Sequence, residues 1–242
     1  MTTGEKNVAL GPYAMRYNQK GDHSVAVGYQ ALGQENRNVT TNADMNNTAV
    51  GYNSGSNAIL TGTNNNLFGA EAGFNLTSGS NNVAVGMDAL RLVTTSSSNV
   101  GIGESAGINI TTGQGNVCIG TGANASSATV DGEFTLGSAN ISSLRCNDTS
   151  ISSLSDRRDK TDIINLTVGL DFLNTLLPRQ FKWQTRDGNI KDGLVRAGFI
   201  AQELQEAQKN FDFLDLVMEN NPERLEAKQE HLIPVLVKAI QE

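Results

Sequence analysis

Asn82-Val-Ala-Val-Gly86 is followed seventeen residues later by Asn99-Val-Gly-Ile-Gly103, and after the same interval by Asn116-Val-Cys-Ile-Gly120. The motif is an Asn or Ser, a short apolar stretch and a Gly. It recurs upstream as Asn7-Val-Ala-Leu-Gly11, Ser24-Val-Ala-Val-Gly28 and Asn47-Thr-Ala-Val-Gly51. Asn65-Asn-Leu-Phe-Gly69 and Glu133-Phe-Thr-Leu-Gly137 are looser copies. The marker glycines are therefore spaced by 17, 23, 18, 17, 17, 17 and 17 residues. So regular a period points to stacked coils in place of a globular core.

A unit of this length is too short for two helices. Its apolar run is short, β-branched in most copies and flanked by Gly or polar residues, which predicts a brief strand. A small residue stands three positions after most marker glycines: Ala14, Ala31, Ser54, Ala72, Ala89, Ala106 and Ala123, with Asn140 as the exception. This implies close backbone approach, at a turn or across a subunit boundary. The connecting Asn, Thr, Ser and Gly suit tight turns, and the leading Asn suits a hydrogen-bonded ladder from coil to coil. The expected architecture over residues 1–137 is an all-β β-roll or β-helix with parallel pairing. Its coils would rise by roughly 4.8 Å each, on the order of 40 Å in all. One coil encloses little apolar volume, and the chain is only 5% aromatic. Pooling the cores of several chains is the expected remedy. The six extra residues between Gly28 and Gly51, around Glu35 to Asn46, predict a loop leaving one coil, a common place for recognition.

The net charge is −7. Residues 1–154 hold 6 Lys/Arg against 10 Asp/Glu, and residues 155–242 hold 12 against 15. Neither part carries a basic stripe, so no nucleic-acid partner is expected. No apolar run suits a membrane span, and no signal peptide is read. Cys118 and Cys146 form neither a metal pattern nor a disulfide framework. Cys118 takes the place of a motif Ala and is expected to be buried. The only His of the repeats, His23, reads as surface. No cofactor and no metal is expected.

Residues 138–154 form a Ser-rich junction, with Ile141, Leu144, Ile151 and Leu154 three or seven apart. From Ser155 the pattern becomes mixed α and β. Val168, Leu170, Leu173, Leu176 and Leu177 predict a helix over 167–177, stopped by Pro178. Gln180 to Gln184 and Leu194 to Ala201 predict a hairpin turning at Asp187-Gly-Asn. A short helix over 202–209 and a strand over 213–218 follow. The last element reads as a long helix over 224–242, with Pro234 inside it as a possible kink. Its apolar side, Leu225, Leu232, Ile233, Leu236, Val237 and Ile240, is expected to meet other helices as a coiled coil or to pack on its own hairpin.

Ser155-Asp-Arg-Arg-Asp-Lys-Thr-Asp-Ile163 opens this module. Leu177-Pro178, Phe181-Lys-Trp183, Ala197-Gly-Phe-Ile-Ala-Gln-Glu203 and His231-Leu-Ile-Pro-Val-Leu-Val-Lys-Ala-Ile-Gln-Glu242 follow in order. The set resembles the C-terminal intramolecular chaperone of phage endosialidases, tail fibres and neck appendages, a module also found in the myelin regulatory factor. The repeats are similar to those of phage fibres and trimeric adhesin heads. The resemblance implies a homotrimer in which residues 155–242 register three chains and then cut themselves off. It implies catalytic Ser155 and Lys160, with the bond Leu154–Ser155 as the cleavage site. It implies a virion fibre that serves as shaft or as binder of a host glycan or protein receptor, with the module released in the host cytoplasm. A Ser hydroxyl needs a base, and a Lys serves when burial or nearby cations favour its neutral form. Asp156 and Asp159 would oppose Arg157 and Arg158 in this. Five residues apart, Ser155 and Lys160 do not share a helix face, so they must meet across a turn or across two subunits. His231 reads as a polar position on the last helix. The competing expectation is a surface adhesin whose C-terminal module trimerises without cutting. A glycan-cleaving enzyme is not expected, because endosialidase relatives carry that domain upstream of the fibre and the stretch before residue 7 has no room for one.

Overall fold

The computed structural model describes residues 4–35, 43–141, 143–147, 152–186 and 191–242. It forms two compact units, Met1–Ser138 and Ala139–Glu242.

The first unit is a β-solenoid. Its strands are β1 Val8–Leu10, β2 Gly21–Asp22, β3 Val25–Val27, β4 Ala43–Asp44, β5 Thr48–Val50, β6 Asn66–Phe68, β7 Val83–Val85, β8 Val100–Ile102, β9 Val117–Ile119 and β10 Phe134–Leu136. The eight motif strands pair in parallel in the order β1-β3-β5-β6-β7-β8-β9-β10, enclosing seven turns. The register is motif on motif: Ala49 opposes Leu67, Leu67 opposes Ala84, Ala84 opposes Gly101, and Gly101 opposes Cys118. Side chains alternate along each strand, so the central residue enters the coil. Ala26, Ala49, Leu67, Ala84 and Cys118 are fully buried. Each marker Gly has a positive φ that side-chain-bearing residues rarely adopt, as at Gly28 with 127°, and a Cβ there would lie 2.6 Å from the Gly51 carbonyl oxygen. Only Gly meets both demands.

The small residue after each marker Gly closes a turn. Ala72 N–H donates to the Gly69 carbonyl at 3.4 Å, Ala89 to Gly86 at 3.3 Å and Ala106 to Gly103 at 3.2 Å. Ala31, Ala72, Ala89, Ala106 and Ala123 are fully buried, so within the chain the close approach lies at a turn. The Asn ladder is present. Asn47 Oδ1 accepts from the Asn65 N–H at 2.9 Å. Asn65 serves Asn82, Asn82 serves Asn99, and Asn99 serves Asn116, each at 3.0 Å. Each amide nitrogen also donates to a carbonyl, as Asn82 does to Ser96 at 3.0 Å. Buried backbone groups that lie between strands are thereby paired. The expected loop around Glu35 to Asn46 falls partly outside the described residues. Its return end is described, where β4 pairs in parallel with β2, a contact the repeat pattern does not signal.

In the second unit, α1 is Leu170–Leu173, β11 Arg179–Lys182, β12 Val195–Gly198, α2 Ala201–Gln208, β13 Val217–Met218, β14 Glu226–Ala227 and α3 Ile233–Gln241. β11 and β12 form the expected antiparallel hairpin; its Asp187-Gly-Asn turn lies outside the described residues. Val168, Phe172, Leu176, Leu204, Leu214, Leu216, Val217, Leu232 and Val235 make the core.

Three expectations need correction. The first helix is one turn long, since Gly169 is outside helical geometry, and Val168 and Leu176 reach the core from irregular flanks. The strand expected over 213–218 begins only at Val217, because Asp212–Leu214 is a tight helical turn closed by left-handed Asp215. The final helix is shorter than expected. Glu226–Ala227 pairs with Val217–Met218, Gln229–Leu232 is a tight turn, and regular helix starts at Ile233. Pro234 thus falls in the first turn of α3, where no backbone donor is needed, and produces no kink. Leu232 and Val235 face their own core, while Ile233, Leu236, Val237 and Ile240 are exposed.

Candidate functional site

Residues 152–156 run without regular structure into a single tight helical turn, Arg157–Asp159. Asp156 caps it: its carboxylate accepts from the Arg158 N–H at 2.8 Å. The turn is closed by Asp159 N–H to the Asp156 carbonyl at 3.1 Å and Lys160 N–H to the Arg157 carbonyl at 3.3 Å. An Asp is well suited to this cap, since its side chain mimics the missing carbonyl acceptor. Reversal of the chain over three residues returns Lys160 toward Ser155. The Lys160 Nζ donates to the Ser155 Oγ at 2.6 Å. The two residues therefore meet across a turn of one chain. Leu154, immediately before Ser155, is 99% exposed.

The charges around the pair are sorted by the same turn. The Arg158 guanidinium lies 2.6 Å from the Asp156 carboxylate, and this hydrogen bonding holds the Asp156 carboxyl below its ordinary range. Asp156 is thus engaged with Arg158 and is not aimed at Lys160. Both Ser155 and Lys160 are exposed. The single chain brings the two groups together and leaves both side chains exposed.

The other candidates lie elsewhere. His231 Nδ1 is 3.3 Å from the Leu214 carbonyl oxygen and 3.8 Å from the Asp215 carboxylate, in the turn before α3. His23 is partly exposed and pairs with Asp44 at 2.9 Å. Cys118 is buried, Cys146 is exposed, and both are free thiols; burial pushes the Cys118 thiol up. Among the described residues no group of His, Cys, Asp and Glu could hold a metal ion. Among them no helix is long and apolar enough to cross a membrane.

Two carboxylates escaped the reading of the sequence. Glu133 ends the Asn ladder, taking Asn116 Oδ1 on its N–H at 2.9 Å and accepting from the Ser126 N–H at 2.7 Å. Its position in the motif, where Asn is expected, was the available signal. Glu35 is fully buried in the solenoid.

Residues 155–213 match the model of the family described as chaperone of endosialidase. The matched stretch runs from the Ser155–Lys160 turn through β11, β12 and α2. No curated protein and no solved structure matches the chain. With a β-solenoid before it, the match fits a phage tail fibre that carries a C-terminal chaperone module.

Proposed function

We propose that this chain forms a parallel homotrimeric phage fibre, registered by its C-terminal module, and that the module then releases itself by cleavage between Leu154 and Ser155. The observation that carries the reading is the 2.6 Å approach of Lys160 Nζ to Ser155 Oγ at the start of the chaperone segment. The trimer is supported by apolar surface on both units. In the solenoid, the residues flanking each buried strand centre point outward, and Phe68, Val85, Ile102 and Leu136 are exposed. In the module, Ile233, Leu236, Val237 and Ile240 form the exposed side of α3. Aligned apolar faces of this kind mark interaction surfaces.

The chemistry balances as an acyl shift. Lys160, as the free amine, takes the hydroxyl proton while Ser155 Oγ attacks the Leu154 carbonyl carbon. The Leu154–Ser155 C–N bond breaks and the Ser155 nitrogen departs with the proton. An ester then joins Leu154 to Oγ. Water hydrolyses it, releasing the Leu154 carboxylate and restoring the hydroxyl. Packing of a neighbouring chain over the turn would supply the burial that makes a Lys a base. Assembly would then switch cleavage on. The released fibre would serve as shaft or receptor-binding surface in the virion, with the module left behind in the host cytoplasm.

Expression of the full chain should give two bands on a denaturing gel, with fragments beginning at Met1 and Ser155. Ser155→Ala and Lys160→Ala should each give one band and an unchanged association state, since each removes an indispensable part of one reaction. One uncut band from the unsubstituted chain favours the non-cleaving adhesin instead. Normal cutting in Lys160→Ala would sink the proposed base.

A further inference from the structure

Glu35 stands seven residues after its marker glycine, Gly28. The equivalent places in three later coils are Leu76 after Gly69, Val93 after Gly86 and Ile110 after Gly103, all buried, while the first coil places Asn18 there, seven after Gly11. A carboxyl group thus occupies a slot that these coils fill with hydrocarbon, and it is 0% exposed. Ser24 fills the ladder position held by Asn in the neighbouring coils, and its shorter side chain leaves room for Glu35. Three neutral groups from three coils converge on the carboxyl. Asn18 Nδ2 donates to Oε2 at 2.9 Å, Ser24 Oγ to Oε1 at 2.8 Å and Asn47 Nδ2 to Oε1 at 3.0 Å. Asn18 is itself fixed by Gly21, whose N–H donates to Oδ1 at 2.8 Å, and Asn47 Nδ2 also donates to the Gly62 carbonyl at 2.8 Å. The cluster therefore connects the first three coils where the long 23-residue interval begins.

We propose that Glu35 is a proton-responsive pin of the solenoid: with its carboxyl neutral it fastens the first three coils together, and its ionisation loosens them. A buried charge is costly unless a countercharge accompanies it, and all three of its donors are neutral. Among the described residues, the charged and titratable groups nearest in the chain are Lys20 and Asp22 on the first coil and His23 and Asp44 at the surface, the last two paired with each other; Arg37, two residues after Glu35, lies outside the described residues. The Ser24 hydroxyl can turn to accept from the neutral acid, so the proton of that form has a partner inside the cluster.

Burial pushes the Glu35 carboxyl from 4.5 to about 7, against the opposing pull of its hydrogen bonds to Asn47, Ser24 and Asn18. The native state then holds the proton more tightly than the unfolded chain does. The stabilisation is complete below the unfolded value and is lost as pH rises through about 7. Between pH 5.5 and pH 8.5 the local opening equilibrium should shift by about 30-fold, from the ratio of the two binding polynomials.

Hydrogen exchange of the full-length protein tests this, with rates corrected for the intrinsic effect of pH. Protection within residues 18–35 and 43–50 should fall by about that factor from pH 5.5 to pH 8.5, relative to residues 83–119. Glu35→Gln should flatten the profile, and His23→Gln should leave it intact. Should Glu35→Gln fail to fold, Glu35→Leu supplies the hydrocarbon of the equivalent slots and should also abolish the pH dependence. A flat profile in the unsubstituted protein overturns the proposal without any variant. So does a profile that survives Glu35→Leu or disappears in His23→Gln.

Discussion

Gly86 has φ of 130°, and a Cβ on it would lie 2.5 Å from the Gly103 carbonyl oxygen. Gly86→Ala meets two penalties together, a disfavoured backbone region and a clash with backbone that cannot rotate aside. It should destabilise the solenoid by about 3 kcal/mol. Chemical denaturation against the unsubstituted protein measures it, and a loss within experimental error would show that the coil relaxes freely. The need for Gly here was legible, because a residue recurring at fixed spacing reports a fixed backbone demand. The Asn ladder was legible for the same reason. Glu35 was not. Its kinship with Leu76, Val93 and Ile110 depends on counting within a coil of irregular length, and only folded neighbours reveal three donors around one carboxyl. The Ser155–Lys160 approach was half legible. The resemblance named both residues, but their meeting depends on Asp156 capping a turn, a local choice that spacing alone leaves open.

Between neighbouring coils, volume is exchanged. Gly101 occupies the strand centre where Ala84 and Cys118 stand on either side, and a Cβ there would lie 2.9 Å from Leu90 Cγ. Leu67 is large at the same place, and Gly55 stands beside it: a Cβ on Gly55 would meet Leu67 Cδ1 at 2.8 Å. Large and small residues thus alternate to keep each turn filled. Gly101→Ala should cost about 1–3 kcal/mol by overpacking. Adding Leu90→Ala should recover part of that loss, so the double variant should be more stable than the two single losses sum to. Denaturation of all four proteins of the cycle decides it. Strict additivity would show that Leu90 and Gly101 are not coupled. Elements of the solenoid were predictable because each repeats its neighbour's environment. Those of the second unit have single copies. There, pairing of Val217–Met218 with Glu226–Ala227 overrides the helical pattern read from residue 224, and the tertiary partner was invisible in the sequence.

For the molecule as a whole, the parallel sheet joins strands that are at least seventeen residues apart, so it has almost no local contacts from which to start. If the C-terminal module supplies registration, residues 1–154 expressed alone should aggregate or remain unassembled, as scored by light scattering and solubility. Ready refolding of that fragment to a trimer would defeat the chaperone reading. The same regular register has a consequence for length. From Asn47 to Asn116 each turn hands the next an equivalent set of strand partners, an amide side chain and a bare glycine, so a turn there can be copied or lost with the same pairing restored beyond it. A fibre built this way changes its reach in discrete steps of one turn, roughly 4.8 Å. The reading frame for such edits is also constrained. A duplicated segment must keep Leu90 with Gly101, or Gly55 with Leu67, since each pair spans the boundary between two turns. Inheritance of fibre length would therefore be counted in whole turns, cut at places where no such pair is divided.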